Sequence, residues 1–113
     1  MANINSLIVF TEARQLVREI RPITAGLRFG DLGSQIRRAS ISIASNICEG
    51  AGAGSDRQFV RYLKLARASA NEVLGQLLLL ADLGTIGEDH QTIALADRLG
   101  RRLTCLIRSI GSG

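Results

Sequence analysis

The longest helical pattern in the chain lies between residues 59 and 80, which read FVRYLKLARASANEVLGQLLLL. Apolar or small side chains recur there in steps of three and four. They are Phe59, Leu63, Ala66, Ala70, Val73, Leu77 and Leu80. Because an α-helix turns once in 3.6 residues, these steps place all seven side chains on one face. The spacing predicts one long helix with a continuous buried stripe.

Three other segments repeat this spacing. Their inward positions are Val9, Ala13, Leu16, Ile20, Ile23 and Leu27; Leu32, Ile36, Ala39, Ile43, Asn46 and Gly50; and Ala96, Gly100, Leu103, Ile107 and Ile110. No segment shows the sustained two-residue alternation that is typical of a half-buried strand. Short connections at Gly30, Gly50–Gly54 and Gly84–Gly87 force neighbouring helices to run antiparallel. The sequence therefore predicts an all-α, up-down-up-down four-helix bundle, with residues 1–113 as its single domain.

Local signals mark the ends of these helices. Asp31 and Ser55 are placed to cap the second and third helices, because their side-chain oxygens accept backbone N–H bonds. Glu88 and Asp89 are expected at the start of the fourth helix, where negative charge is favourable. Pro22 falls inside the first pattern, which continues in phase beyond it, so we expect a kink rather than two helices.

Composition narrows the class of protein. Of the 113 residues, 46% are hydrophobic, and the net charge is +4. The hydrophobic content excludes a disordered chain, and the positive charge is compatible with a polyanionic partner. The two cysteines, Cys48 and Cys105, lie in apolar stretches without a metal-binding spacing, as buried thiols of a reducing compartment would. The apolar run 73–81 is too short to span a bilayer. We expect a soluble, cytoplasmic protein with no membrane partner.

No catalytic residue, metal ligand or cofactor site is predicted. The glycine-rich segment 50–54 lacks the Gly-Lys-Ser/Thr ending of a phosphate-binding loop. His90, the only histidine, has no second ligand at a helical spacing and is expected in the first turn of the fourth helix. Because none of these residues forms a recognisable catalytic arrangement, the protein is predicted to be non-enzymatic. An enzyme would need a ligand pocket around Arg38, Asn46 and Glu49.

Two groups of basic residues are candidates for nucleic-acid binding. Arg57, Arg61 and Lys64 share one face of the third helix through steps of four and three. The other group lies toward the end of the fourth helix and comprises Arg98, Arg101, Arg102 and Arg108. Since aromatic residues such as Tyr62 are few among them and the fourth helix has none, they favour contacts to the nucleic-acid backbone over base stacking. The alternative is a solvated polar face that also suits the helix dipole.

The second helix carries an unusual polar line. Steps of four, four and three link Arg38, Ser42, Asn46 and Glu49, so these side chains can follow one seam between helices. Small hydroxyl side chains allow close helix approach, and a buried asparagine can specify register. We interpret the seam as a structural polar network, with a charged pocket as the alternative.

The last two helices have more apolar rows than one core needs. Leu74 and Leu78 on the third helix, and Leu95, Leu99 and Leu106 on the fourth, lie beside the main stripes. About three positions in seven suffice to fill the core of a bundle. We therefore expect these five leucines to be exposed in a protomer and to form an interface between copies. The alternative is a wide face buried within one bundle.

The second helix also resembles a known family. The residues Gln35-Ile36-Arg37-Arg38-Ala39, Ser42-Ile43, Ser45-Asn46-Ile47 and Glu49-Gly50 are similar to the signature of the four-helix-bundle proteins encoded in 23S rRNA intervening sequences. The resemblance covers roughly residues 7 to 86 and includes Phe10 upstream and Phe59, Glu72 and Gln76-Leu77 downstream.

The resemblance implies a left-handed bundle that assembles into a ring-like homopentamer. A distant relative, the accessory variability protein of diversity-generating retroelements, is a basic pentamer that binds nucleic acid and a reverse transcriptase. Five copies of a +4 chain would carry about +20. These features predict a homo-oligomeric scaffold that binds RNA or DNA without reading its sequence. The alternative is an oligomeric protein–protein adaptor whose arginines only keep the surface hydrated.

Overall fold

The computed structural model describes residues 4–28 and 30–111. They form four helices: α1 (Ile4–Thr24), α2 (Gly30–Ala51), α3 (Asp56–Asp82) and α4 (Gln91–Gly111). No strand occurs within these two ranges, so the predicted all-α class is confirmed. Helix α1 continues through Pro22 and ends two residues later, as one helix rather than two.

The ends of α3 follow the predicted punctuation. The Ser55 side chain accepts a hydrogen bond from the Gln58 backbone N–H at 3.2 Å. At the other end, Gly84 adopts a φ of 78° and donates to the Ala81 carbonyl, while the Thr85 N–H donates to the Leu80 carbonyl. This pair of bonds is a Schellman motif, which glycine favours because the left-handed conformation costs it no steric strain.

The start of α4 differs from the expectation. Glu88 and Asp89 lie in the connection before the helix, which begins at Gln91. His90 occupies the capping position, and its Nδ1 accepts a hydrogen bond from the Thr92 N–H at 3.1 Å. The cap is therefore a histidine nitrogen rather than a carboxylate.

Each helix packs against two neighbours in the order α1–α2–α3–α4, and α4 closes the bundle against α1. Hydrogen bonds join Ser69 to Ser42 and Gln76 to Gln35, so residue numbers that increase along α3 face residue numbers that decrease along α2. The Glu12–Arg98 and Glu19–Thr92 pairs give the same relation between α1 and α4. These neighbouring helices are antiparallel, as the short connections predict.

The core contains the predicted stripe of α3 in full, and all seven of its residues are buried. The tightest contact with α2 occurs at Gly50. A Cβ atom added there would lie 2.9 Å from both Phe59 Cδ1 and Tyr62 Cβ. Only glycine permits α2 and α3 to approach this closely, which explains why it continues the apolar line of α2.

The expected exposure of the second leucine row on α4 is wrong. Leu95, Leu99 and Leu106 are between 0 and 4% exposed within one protomer. The physical reason is that this row and the stripe with Ala96, Leu103 and Ile107 together make one buried face, which α4, like each of the other helices, needs in order to pack against two neighbours. Leu74 is also partly buried against the core, and Leu78 alone of the five candidates is exposed.

Two other surface features bear on the environment of the protein. Cys48 and Cys105 are free and exposed, which corrects the expectation that both are buried. Within residues 4–28 and 30–111, no helix carries an apolar stretch long enough to cross a bilayer.

Candidate functional site

A basic groove lies between the first turns of α3 and the last turn of α4. Its volume is about 990 Å³, and it brings Arg57, Arg61 and Lys64 together with Ile110 and Gly111. The remaining lining residues are Ser55, Asp56, Gln58, Val60 and Leu65. All three cations are exposed, and none forms an ion pair with a carboxylate of the described part of the chain. No carboxylate of residues 4–28 and 30–111 competes with an external anion for them.

The predicted basic residues of α4 have partners instead. Arg98 Nε donates to Glu12 Oε2 at 2.8 Å, and Arg102 Nε lies 3.0 Å from Glu12 Oε1. Arg101 pairs with Asp97 one turn earlier on the same helix at 3.1 Å. Arg108 is exposed and has no acidic partner among residues 4–28 and 30–111. Three of the four candidates on α4 are thus at least partly neutralised within the protomer.

Glu12 is the buried centre of this arrangement, and the sequence interpretation missed it. Its side chain is 12% exposed, whereas the side chains of Arg98 and Arg102 are about half exposed. Its position gives the signal, because it follows Val9 by three and precedes Leu16 by four on the inward face. A carboxylate at a core spacing requires a cation on a neighbouring helix.

Glu19 continues this polar line two turns along α1. The buried Thr92 hydroxyl donates to Glu19 Oε1 at 2.7 Å, and Gln15 Nε2 donates to Glu19 Oε2 at 2.7 Å. Together with the Glu12 pairs, these bonds join α1 to α4 by polar contacts at two levels.

The seam on α2 is only partly assembled. Asn46 Nδ2 donates to the Ser42 carbonyl at 2.9 Å and lies 3.1 Å from Ser42 Oγ. Ser69 of α3, which the sequence interpretation did not include, donates to Ser42 Oγ at 3.1 Å. Arg38 and Glu49 remain exposed and do not join this network. The arrangement fits a polar contact between α2 and α3 and forms no charged pocket.

A second polar contact joins the same helices further along. Gln76 is buried, and its Nε2 lies 3.4 Å from both Gln35 Oε1 and Glu72 Oε2. In the described residues, no grouping of three His, Cys, Asp or Glu side chains could hold a metal ion.

An exposed apolar ridge runs along the end of α3. We define the leucine ridge as Leu78, Leu79 and Leu83, whose side chains are 47–54% exposed. Gly75 lies one turn earlier, and a Cβ atom added there would meet nothing within 4 Å. The ridge includes Leu78, which the sequence predicts at an interface, and Leu79 and Leu83, which it does not.

Comparison with known proteins agrees with the four-helix fold. A solved structure from the S23 ribosomal protein family of Bacteroides thetaiotaomicron VPI-5482, described as a protein with unknown function, shares the fold with a TM-score of 0.83. The two chains are 22% identical, and the similarity covers 93% of this chain and 99% of that one. No curated protein matches the sequence. The 23S rRNA-intervening sequence protein family matches residues 5–105, and the chain belongs to this family.

Proposed function

We propose that this protein is a non-enzymatic, homo-oligomeric scaffold that binds RNA or DNA without reading its sequence. The observation that carries the proposal is the basic groove, in which Arg57, Arg61 and Lys64 have no carboxylate partner within residues 4–28 and 30–111. Arginine and lysine side chains of this kind bind phosphate oxygens by charge-assisted hydrogen bonds.

The surroundings of the groove favour backbone contacts over base recognition. Of the two aromatic residues nearby, Phe59 is buried in the core, and Tyr62 is half-buried with its Cβ against Gly50 of α2. Its ring is therefore a poor platform for base stacking, which proteins use to read single strands. Binding should depend on charge and salt rather than on sequence.

The leucine ridge supports self-association. Exposed apolar side chains that lie close together are typical of interaction surfaces, and the ridge has three half-exposed leucines within six residues. Gly75 adds to this, because a glycine inside a helix costs about 1 kcal/mol relative to alanine and no contact among the described residues requires it here. A second chain seated close to α3 would explain both features, and the family resemblance favours a pentamer.

Titration of a fluorescently labelled RNA at several salt concentrations tests nucleic-acid binding. Several phosphate contacts predict a linear fall of log affinity with log salt, with a slope of about −0.7 per contact for a single strand. A matching DNA strand should bind with similar affinity if the backbone is what the protein contacts. The absence of binding at low salt would contradict the proposal.

The second candidate function is an oligomeric protein–protein adaptor, which the leucine ridge favours because exposed apolar side chains are typical of protein–protein contacts. Affinity purification from the native cell, with and without nuclease, separates the two. Partners that persist after nuclease treatment support the adaptor, and partners that vanish support the nucleic-acid scaffold. Two free thiols fit a cytoplasmic site of action for either function.

A further inference from the structure

The net positive charge of the bundle lies at one end. We define the basic end as residues 4–14, 41–69 and 101–111, which contains the starts of α1 and α3 and the ends of α2 and α4. It holds eight basic and three acidic side chains, for a net charge of +5. The acidic end, residues 15–40 and 70–100, holds six basic and seven acidic side chains, for a net charge of −1.

The helix dipoles do not produce this difference. Each end of the antiparallel bundle contains two helix N-termini and two C-termini, so the partial charges of the dipoles largely cancel. The side chains therefore decide the field, and the principal extent of the molecule is 44 Å. The Debye length is about 8 Å at physiological salt, so an anion at one end is screened from charges at the other.

Ion pairing leaves this asymmetry in place. At the basic end, the cations without a carboxylate partner in the described part of the chain are Arg14, Arg57, Arg61, Lys64, Arg67 and Arg108. Arg14 lies over the Phe10 ring, 5.8 Å from its centroid. At the acidic end, Asp82, Glu88 and Asp89 are exposed and have no cation partner in residues 4–28 and 30–111. In the same ranges, five cations of the acidic end also lack a carboxylate partner, namely Arg18, Arg21, Arg28, Arg37 and Arg38. The carboxylates there without an ion pair outnumber them, so a polyanion meets a net positive charge only at the basic end.

We propose that the basic end is the nucleic-acid docking surface of this protein and that a phosphodiester backbone lies in the groove beside α3, an assignment that rests on the proposed function. Arg57, Arg61 and Lys64 lie within eight residues of helix, which rise by about 10 Å from the first to the last, so they can meet consecutive phosphates. Val60 and Ile110 provide an apolar floor on which sugar rings can pack.

The same geometry excludes two of the arginines of α4 from docking. Arg98 and Arg102 hold the buried Glu12 carboxylate, and drawing them away to bind phosphate would leave that charge without a partner. An uncompensated buried charge is strongly unfavourable. Nucleic acid should therefore contact the start of α3 and the last turn of α4, not the face of α4 that packs on α1.

A pair of charge-matched variants tests the assignment. Arg57→Gln/Arg61→Gln/Lys64→Gln removes three cations of the basic end, and Arg18→Gln/Arg21→Gln/Arg28→Gln removes three exposed cations of the acidic end. Each variant lowers the net charge from +4 to +1. Affinity for a labelled RNA and for a DNA duplex is measured across a salt series, and circular dichroism and light scattering verify fold and mass.

The basic-end variant should bind at least tenfold more weakly, and its slope of log affinity against log salt should be flatter by about 2 to 3. The acidic-end variant should keep the wild-type slope. Arg57→Lys/Arg61→Lys, which preserves charge, should keep most of the affinity. Equal losses in both triple variants would overturn the assignment to one end while leaving the proposed function intact. Failure of the wild-type protein to bind would instead overturn the proposed function.

Discussion

Arg98 of α4 donates from Nε to Oε2 of Glu12 in α1 at 2.8 Å, across 86 residues of sequence. Arg102 Nε lies 3.0 Å from the other oxygen of the same carboxylate. Two half-exposed guanidinium groups therefore hold one nearly buried carboxylate at the α1–α4 interface. This difference in burial affects the stability of the protein, because the Glu12 carboxylate is largely removed from water whereas both guanidinium groups remain half-exposed.

Removing the two cations should destabilise the protein more than removing the anion. Arg98→Gln/Arg102→Gln leaves Glu12 buried without compensation, and we expect a loss of about 2–3 kcal/mol, below the 3–5 of a fully buried pair because the arginines are half-exposed. Glu12→Gln should cost about 1 kcal/mol or less, because both arginines can return to water. Urea denaturation of the two variants measures the difference.

The control for this comparison is Arg101→Gln, because Arg101 pairs with Asp97 on an exposed surface of the same helix. Its loss should be within about 0.5 kcal/mol of zero. A greater loss for Glu12→Gln than for the double arginine variant would show that the carboxylate is not the costly member.

Two glycine-to-alanine substitutions should change stability in opposite directions. Gly50→Ala places a methyl group 2.9 Å from Phe59 Cδ1 and Tyr62 Cβ, so α2 and α3 must separate at a cost of about 1–3 kcal/mol. Gly75→Ala meets no atom within 4 Å and should stabilise α3 by up to about 1 kcal/mol in a dissociated protomer. Denaturation midpoints at equal protein concentration test both. A neutral Gly50→Ala would contradict the close approach of these helices.

The helix stripes could be predicted from the sequence because burial along a helix follows local spacing. All seven predicted positions of α3 are buried, and Ser55 caps the helix as its residue type indicates. Local spacing contains no information on how many neighbours a helix has. The spacing of Leu95, Leu99 and Leu106 therefore predicts a surplus apolar row, although α4 uses this row to pack on its neighbours.

The polar contacts were harder to predict for the same reason. Glu12 stands at a core spacing, but only the adjacency of α1 and α4 shows that Arg98 is its partner. Ser42 and Asn46 could be placed on one seam because they belong to one helix, whereas Ser69 reaches that seam from α3. Residues on one element are related by periodicity, and residues on different elements are related only by the packing.

His90 should contribute to the stability of α4 as its N-cap. Its Nδ1 accepts the Thr92 N–H at 3.1 Å, one of the backbone donors that the first turn of a helix leaves unpaired. His90→Ala removes this acceptor and should cost about 1 kcal/mol. His90→Asn offers a side-chain oxygen in its place and should be nearly neutral.

Thermal unfolding at one protein concentration measures both His90 variants, since association would otherwise shift the midpoint. A loss of about 1 kcal/mol corresponds to a Tm decrease of roughly 4 °C for a domain of this size. If the alanine and asparagine variants unfold at the same temperature, the hydrogen bond to Thr92 contributes nothing and α4 is held by packing alone.

The leucine ridge should control the assembly state without affecting the fold of the protomer. Leu78 and Leu79 are about half exposed, so Leu78→Glu/Leu79→Glu leaves the core intact and places two carboxylates where we propose that a second copy packs. Because a desolvated charge at an interface is costly, the variant should have the mass of a single chain by light scattering while its helical circular dichroism is retained.

Ile41→Glu, a substitution of an exposed isoleucine on α2, is the control and should keep the wild-type mass. Retention of that mass by the ridge variant would exclude the ridge as the interface. A wild-type protein that has the mass of one chain at micromolar concentration would contradict self-association itself.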